Sequence, residues 1–561
     1  MKILSSVGLA PEERRNALLL IGSNFFEGLA IALFYSVALT YFLDHNPIKT
    51  YGWLMVASGG VVVLLTPLYQ RVEHILKTSN LFLFLAAATL VIFAAGYAIT
   101  GFKSGLSAAN IGFGLMVLHH LIYVLYKVRF WGLSALFYDV RQSKRVFGLI
   151  GSVNLPAKFL GYTLVTTLDV LGDIGFANLM LIGVASYLGS TAFMYFIIKE
   201  NPETLHLSHE ENKRKGPHAK SIVKGIMGLS VVMVFTLSLV NFLFAKEVQH
   251  HFELTDGNMF QLISKALALS YGLATIVKIV ISGRVLGRFK LKALLLVTPL
   301  LLAVAILTHW IIRSTYAIEE QEYLFFVMLM IGSLMLTEAI DNPLVMSLFQ
   351  PLSKREILGG HTLVKGYAES VGIMLVGGSL IWFYGGHKHI DLVVAIPVVF
   401  GSAALWLIAG RRFAGKYLYH LRHLIELKLI KGDQALFLDQ DTEHHLKKQL
   451  GADDIRVVEQ SLEILLVNKR VKSRHIKRLL NSKRAEIRTL GLSTLEDSSL
   501  VDQDLVDYLT EQLSTAEVEE KCRILTVLAG SISDDEIQRY LRSNDEEEQY
   551  ALALGLAKKT G

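Results

Sequence analysis

The sequence lacks most of the features that mark enzymes and secreted proteins. It has one cysteine, Cys522, among 561 residues, so no intrachain disulfide can form and nothing indicates an oxidising compartment. It has no Walker loop and no glycine-rich turn from strand to helix, so nothing indicates ATP hydrolysis. The first 20 residues do not read as a cleavable signal peptide, because their basic residues follow a short apolar patch. We therefore expect neither an enzyme nor a bound cofactor.

Charge is also scarce over most of the chain. Hydrophobic residues make up 52% of the sequence and the mean hydropathy is +0.44, which is too apolar for an ordinary soluble protein. Nearly all the long apolar runs lie before residue 412. The net charge of +6 needs no nucleic-acid partner, because basic loops are typical of membrane proteins. The sequence predicts a membrane region in the lipid bilayer followed by a soluble tail.

Twelve apolar runs are long enough to cross a membrane, for which about 20 residues are needed. They cover residues 17–43, 50–70, 79–101, 105–127, 145–170, 175–198, 222–246, 258–283, 291–313, 321–345, 357–385 and 391–412. A hydrophilic loop separates six runs from six. The predicted domains are therefore a first half at 1–198, a central loop at 199–221, a second half at 222–412 and a tail at 413–561.

Loop charge and an internal repeat indicate how the halves are arranged. Lys and Arg concentrate in one alternate set of loops, which places both termini and the central loop in the cytoplasm. Ser-Lys-Arg occurs at 143–145 and again at 353–355, before the fifth and eleventh runs, which are equivalent positions in the two halves. This layout predicts an all-α protein with two parallel six-helix repeats, the major facilitator type.

From about residue 413 the pattern changes to amphipathic helices with charged faces. Segments such as 455–471 and 485–501 recur at roughly 30-residue spacing and predict stacked helices, an α-solenoid that resembles HEAT repeats. Such a tail could stabilise the protein or could dock a protein partner. Nothing in it indicates catalysis.

Charged residues within the apolar runs are the strongest functional signal. A charge at mid-bilayer costs about 2.5–3.5 kcal/mol on insertion scales, so its side chain is expected to face a cavity or a partner. Glu27, Lys158 and Lys365 lie deepest and are predicted to line a transport cavity. The alternative is structural ion pairing, of Glu27 with Lys158 or of Lys365 with Glu369. Lys278 is expected to reach the membrane surface with its long stem.

Several basic groups around one cavity favour an anionic solute. Ammonium groups bind phosphate as point charges, and guanidinium groups bind it with two parallel hydrogen bonds. Because no ATPase motif is present, transport would run on exchange or on an ion gradient.

Three segments resemble the ATP/ADP translocase family of nucleotide transporters. The first segment, around 130–154, resembles that family's FWG and AKRF-LFG-AN patterns. The second, around 347–368, resembles its SLFDP and KGKA patterns. The third, around 239–246, resembles its LVE segment, which has a lysine shortly after. The matching residues are Phe130, Trp131, Gly132, Lys144, Arg145, Phe147, Gly151 and Asn154; Ser347, Leu348, Phe349, Pro351, Lys365, Gly366 and Ala368; and Leu239, Val240 and Lys246. The resemblance implies nucleotide exchange through a major facilitator fold, and some family members carry HEAT-type tails. The acidic position of LVE is Asn241 here, and span one carries Glu27 as its only charge before Asp44.

The first hypothesis is therefore a carrier of nucleotides or other phosphorylated solutes that works by alternating access. Lys158 and Lys365 would hold the anionic group, and Glu27, Asn241 and Lys246 would complete the pocket. Two cytoplasmic gates are predicted from Lys144, Arg145, Lys354 and Arg355, with Asp139 and Glu356 as acidic partners. The second hypothesis keeps the carrier but makes the solute an amphiphilic or other organic anion. The third is a membrane-anchored scaffold or sensor acting through the tail. A bacterial inner membrane is the expected location.

Overall fold

A computed structural model describes the backbone of most of the chain. The described residues are 11–101, 106–137, 150–171, 175–202, 217–254, 258–281, 291–315, 322–349, 352, 354–386, 392–426, 440–467, 470–496, 502–513, 516, 518–529, 537–538, 542 and 546–560. All regular elements in these ranges are helical. Two compact units are present, Met1–Leu421 and Arg422–Gly561.

The described residues of the first half form six long helices. They are α1 (Pro11–His45), α2 (Tyr51–Ile75), α3 (Thr78–Gly101), α4 (Ala108–Phe137), α5 (Asn154–Leu171) and α6 (Phe176–Glu200). A short 3₁₀ helix, Ile48–Thr50, joins α1 to α2.

The second half contains six spans, two of which are interrupted. Its helices are α7 (Pro217–Leu254), α8 (Met259–Ile281), α9 (Leu291–Thr315), α10 (Glu322–Leu336), α11 (Asn342–Ser347), α12 (Lys354–Thr362), α13 (Glu369–Gly386) and α14 (Leu392–Glu426). A first π-helical turn, Thr337–Asp341, joins α10 to α11. A second π-helical turn, Leu363–Ala368, joins α12 to α13. Each interrupted span therefore carries one wide turn inside the membrane region.

Eleven helical segments in the described ranges are long and apolar enough to cross a membrane. They coincide with eleven of the twelve predicted runs, which confirms an all-α protein that crosses the membrane many times. The exception is the predicted run 145–170. Its described helix, α5, is not among the eleven, and Asn154 and Lys158 lower its apolar character. It nevertheless packs against α1 and α8 inside the bundle.

These apolar runs are expected to form helices, because a lipid-exposed backbone must satisfy its own hydrogen bonds. The hydroxyl groups within the runs follow the same rule. Thr66 Oγ1 donates to the carbonyl of Val62 at 2.7 Å, and Thr89 Oγ1 donates to that of Leu85 at 2.8 Å. Polar side chains of this kind can therefore be buried without breaking the helix.

Helix packing repeats between the halves. In the first half α1 packs against α4 and α5, and α2 packs against α4. In the second half α7 packs against α10 and α13, and α8 packs against α10. The halves meet where α2 packs against α13 and where α5 packs against α8. These are spans two with eleven and five with eight, so the two contacts are equivalent when each span is replaced by its counterpart in the other half. These shared contacts are those expected of two related six-helix bundles, although the extensive contact of α1 with α6 has no comparable counterpart between α7 and α14.

The contact between α2 and α13 depends on glycine. A Cβ atom placed on Gly377 would lie 2.5 Å from the carbonyl oxygen of Gly52, and a Cβ on Gly52 would lie 3.0 Å from that of Gly377. No real side chain tolerates the shorter distance. Only glycine at these positions lets the two backbones approach so closely.

The tail unit consists of short helices that pack mainly on near neighbours in sequence. They are α15 (Gln440–Gln449), α16 (Ile455–Val467), α17 (Ser473–Leu480), α18 (Ala485–Glu496), α19 (Gln503–Gln512), α20 (Val518–Leu528) and α21 (Glu546–Thr560). Arg488 of α18 donates from Nε to both carboxylate oxygens of Glu520 in α20, at 2.9 and 3.1 Å. Whether these helices form HEAT-type repeats stays a prediction.

Candidate functional site

A cluster of charged side chains lies where the two halves meet. Charge–charge interactions connect Glu338 with Lys127, Lys158 and Lys278, and connect Glu369 with Lys127, Lys365 and His120. We call these seven residues the central cluster. Lys127 and Lys158 come from the first half, whereas both carboxylates and the other two lysines come from the second. Basic groups therefore outnumber acidic groups in the cluster.

Lys158 bridges the two halves through aromatic rings. Its side chain is 2% exposed, and its Nζ donates to the hydroxyl of Tyr271 at 3.3 Å. The Nζ atom also lies 4.8 Å from the ring centre of Tyr271 and 5.6 Å from that of Tyr123. Within the described ranges, no carboxylate lies at ion-pair distance from Lys158. The rings stabilise the ammonium group, and its charge interacts with Glu338 of the second half.

Lys365 is paired. It lies in the second π-helical turn, is 6% exposed, and forms an ion pair with Glu369 four residues later. The two side chains therefore meet on one helix face, as their four-residue spacing allows. Lys365 also interacts with Lys127 and Glu338, so the pair belongs to the central cluster.

Lys278 differs from its expected position at the membrane surface. It is 9% exposed, and its Nζ donates to the carbonyl of Gly151 at 3.3 Å. The cause is the packing of α8 against α5, which covers the end of α8 where a long stem would otherwise reach outward. Its charge instead interacts with Glu338.

Glu27 lies in a buried polar network of the first half. Its carboxylate pairs with Arg129 of α4, and both side chains are 1% exposed. Arg129 also donates to the hydroxyl of Tyr187, which in turn donates to the carbonyl of Ala86 at 3.2 Å. The structure therefore pairs Glu27 with Arg129 rather than with Lys158. The network joins α1, α4, α6 and α3 and has the character of a structural brace.

Two other predicted pocket residues are not joined to the central cluster by any described contact. Lys246 of α7 pairs with its neighbour Glu247 at 2.7 Å. The side chain of Asn241 on the same helix is exposed. Their place in a binding pocket stays a prediction.

The predicted gates fall mostly where the structure gives no side chains. Asp139, Lys144 and Arg145 lie outside the described residues. Lys354 and Arg355 form the first turn of α12, but their side chains are likewise outside the description. Glu356 follows them and is half-buried. The gates therefore stay a prediction.

Sequence inspection missed Tyr123 and Tyr271, because tyrosines are common in membrane spans and no spacing links these two. The predicted run 105–127 left Arg129 outside the membrane span, although the residue is buried beside Glu27. The two π-helical turns left no sequence signal, yet they carry Glu338 and Lys365, and such turns are frequent at functional sites. No group of three or more His, Cys, Asp or Glu that could hold a metal ion occurs in the described part of the chain.

Comparison with known proteins gives distant likenesses only. No family model and no curated protein matches the chain, so the ATP/ADP translocase resemblance stays a prediction. Among solved structures, a mutant of the nucleoside transporter NupG is similar with a TM-score of 0.47 and 12% identity, covering 71% of this chain and 99% of that one. The human organic anion transporter MFSD10 (TETRAN) is similar with a TM-score of 0.44 and 13% identity, covering 74% of this chain and 100% of that one. Because both TM-scores are low, the fold assignment rests on the helix packing described above.

Proposed function

We propose that the chain is a secondary transporter of a small organic anion that works by alternating access. The observation that carries the proposal is the central cluster, in which buried lysines of both halves meet and outnumber the carboxylates. Rocking of one half against the other would open the cluster to each side of the membrane in turn. An anion bound between the halves would neutralise Lys158 and make that movement favourable.

The anionic group is best matched by phosphate. Lys158 and Lys365 are compact ammonium donors from opposite halves, and phosphate presents acceptor oxygens in several directions. Glu338 and Glu369 would move from lysine partners to solute hydroxyl or amino groups when the anion binds. A nucleotide or another phosphorylated solute is the proposed cargo, in agreement with the motif resemblance.

The setting of this carrier is also proposed from sequence. The excess of Lys and Arg in alternate loops supports cytoplasmic termini and a cytoplasmic central loop. A bacterial inner membrane suits a multi-pass chain with one cysteine. The tail would then lie in the cytoplasm as a HEAT-like platform for a protein partner.

An amphiphilic anion is the second candidate, and an apolar pocket favours it. The pocket lies between α7, α13 and α14, with Leu239, Phe242 and Phe383 among its walls. Lys246 follows Phe242 by four residues, so the two share a face of α7. A lipid-like solute would place its tail in the pocket and its charged head near Lys246.

Thermal unfolding of the purified, detergent-solubilised protein tests these two candidates. A ligand that binds only the folded state raises the melting temperature by mass action. The panel contains ATP, ADP, inorganic phosphate, a sugar phosphate and a lysophospholipid. A shift with the phosphorylated solutes that is lost in Lys365→Met but kept in Phe242→Ala supports the first candidate. A shift with the lysophospholipid alone, lost in Phe242→Ala, supports the second and counts against the first.

A further inference from the structure

Asp341 is a buried carboxyl group with almost no partners. It ends the first π-helical turn and is 3% exposed. Its Oδ1 accepts a hydrogen bond from Thr298 Oγ1 of α9 at 3.0 Å. Its Oδ2 has no hydrogen-bond partner in the described part of the protein. A single neutral hydroxyl is therefore the whole of its described polar environment.

The surrounding helices supply no counter-charge. The π-helical turn packs against α8, α9, α10 and α11. Their titratable side chains, together with the one on the turn itself, are Lys265, Tyr271, Lys278, Lys292, His309, Arg313, Glu322, Tyr323 and Glu338. Within the described ranges none of them forms an ion pair or a hydrogen bond with Asp341.

Those side chains are engaged elsewhere. Lys278 interacts with Glu338, and Arg313 pairs with Glu322 at 2.7 Å. The exposed Lys265 donates to Gln261. His309 stacks on Phe325, and Tyr323 stacks on His251. Lys292 is exposed.

An ionised carboxylate is unfavourable in such a place. At membrane depth an uncompensated charge carries a large desolvation penalty, whereas the carboxylic acid is neutral and keeps its bond from Thr298. We infer that Asp341 is a proton-binding site, occupied in the arrangement seen here. When the second half rearranges and admits water, the O–H bond breaks, the proton leaves to water, and the carboxylate remains until the next proton binds.

The position of Asp341 links this proton to the central cluster. Glu338 lies on the same five-residue turn and interacts with Lys158, Lys127 and Lys278, while Asn342 donates to its carboxylate at 3.1 Å. A shift of the turn therefore changes the surroundings of both carboxyl groups together. Proton binding would in this way be coupled to anion transport. This coupling rests on the proposed function, whereas the protonation of Asp341 does not.

Infrared spectroscopy of the full-length purified protein tests the protonation directly. We expect a carbonyl stretch of a protonated carboxylic acid at neutral pH, which moves in heavy water and disappears in Asp341→Asn. Asparagine keeps an acceptor for Thr298, so the fold should survive. The control is Asp44→Asn at the exposed end of α1, which should leave the band unchanged. A band that persists in Asp341→Asn, or that is absent from the wild type, would overturn the inference.

Proton coupling is tested in liposomes that contain the protein and an internal pH-sensitive dye. Addition of ATP or inorganic phosphate should acidify the interior with the wild type and with Asp44→Asn, but not with Asp341→Asn. Equal acidification by wild type and Asp341→Asn would overturn the coupling. If neither solute moves with the wild type while the infrared band depends on Asp341, the proton site is supported and the proposed function fails.

Discussion

At the scale of single residues, the bundle holds its charges in two different ways. Lys158 lies against the rings of Tyr123 and Tyr271, one from each half, and donates to the hydroxyl of Tyr271. Arg129 is paired with Glu27 and further bonded to Tyr187, all within the first half. Lys158 therefore lies between parts that move relative to each other in alternating access, whereas Arg129 joins helices of one half. The first arrangement suits a binding residue and the second suits a brace.

Breaking the brace should destabilise the protein. Glu27→Gln leaves Arg129 buried without a counter-charge, and loss of one partner of a buried ion pair typically costs about 3–5 kcal/mol. We expect a clear fall in the melting temperature of the detergent-solubilised protein. The double variant Glu27→Gln with Arg129→Met removes both charges and should recover part of that loss. A double variant as unstable as the sum of its single variants would contradict the account.

The sequence revealed the buried charges better than their partners. A lysine or glutamate inside an apolar run is visible by inspection, and Lys365 with Glu369 could be paired because four residues separate them on a helix. The partner of Glu27 was missed because Arg129 lies 102 residues away and beyond the predicted run 105–127. Contacts at that separation depend on how helices cross, and one sequence does not contain that geometry.

At the scale of helices, close backbone contact joins the halves. The α2–α13 contact places the carbonyl oxygen of Gly52 where a Cβ on Gly377 would have to sit. Eleven predicted runs became helices, because apolar length indicates whether a segment can cross a membrane. Several helices continue beyond the predicted bounds; α4 ends at Phe137 instead of 127, and α14 ends at Glu426 instead of 412. The two π-helical turns were not predictable, since one extra residue in a turn changes neither length nor apolarity.

Gly377→Ala should weaken the α2–α13 contact, because the new methyl group meets a backbone atom that cannot rotate away. Overpacking of this kind typically costs about 1–3 kcal/mol. Gly378→Ala is the matched control, because nothing lies within 4 Å of a Cβ at that position. We expect a lower melting temperature for Gly377→Ala and an unchanged melting temperature for Gly378→Ala. Equal effects of the two substitutions would show that the close approach is unimportant.

At the scale of the whole membrane unit, the halves are also joined at the end where α1 finishes. Gln249 of α7 donates from Nε2 to the carbonyl oxygens of Leu43 and Asn46, at 2.6 and 2.8 Å. Carbonyl groups at the end of a helix lack partners within it, so an amide from the opposite half satisfies them. Alternating access would require this bridge to break whenever that end opens.

Gln249→Leu should therefore loosen this end of the bundle. We expect faster hydrogen–deuterium exchange of the backbone amides at residues 42–54, measured by mass spectrometry on the intact protein. His250→Leu is the control, because His250 is exposed and makes no described contact with the first half. Unchanged exchange in Gln249→Leu would mean that the bridge does not hold the halves together.

The two-half architecture could be predicted because loop charge and the Ser-Lys-Arg repeat report on it directly. The central cluster could be predicted only in part: Lys158 and Lys365 were identified, whereas Tyr271 and the inward position of Lys278 depend on how α5 meets α8. The nature of the tail and the gates at Lys144 and Lys354 stay predictions.

The most direct test of the central claim is uptake by liposomes that contain the purified protein. Radiolabelled ATP, ADP, inorganic phosphate and a sugar phosphate are offered to the wild type, to Lys365→Ala and to Lys292→Ala, whose lysine is exposed on α9. The account predicts uptake of at least one phosphorylated solute by the wild type and by Lys292→Ala, with uptake abolished in Lys365→Ala although that variant still inserts. Equal uptake by Lys365→Ala and the wild type would contradict the assignment of the central cluster as the transport site.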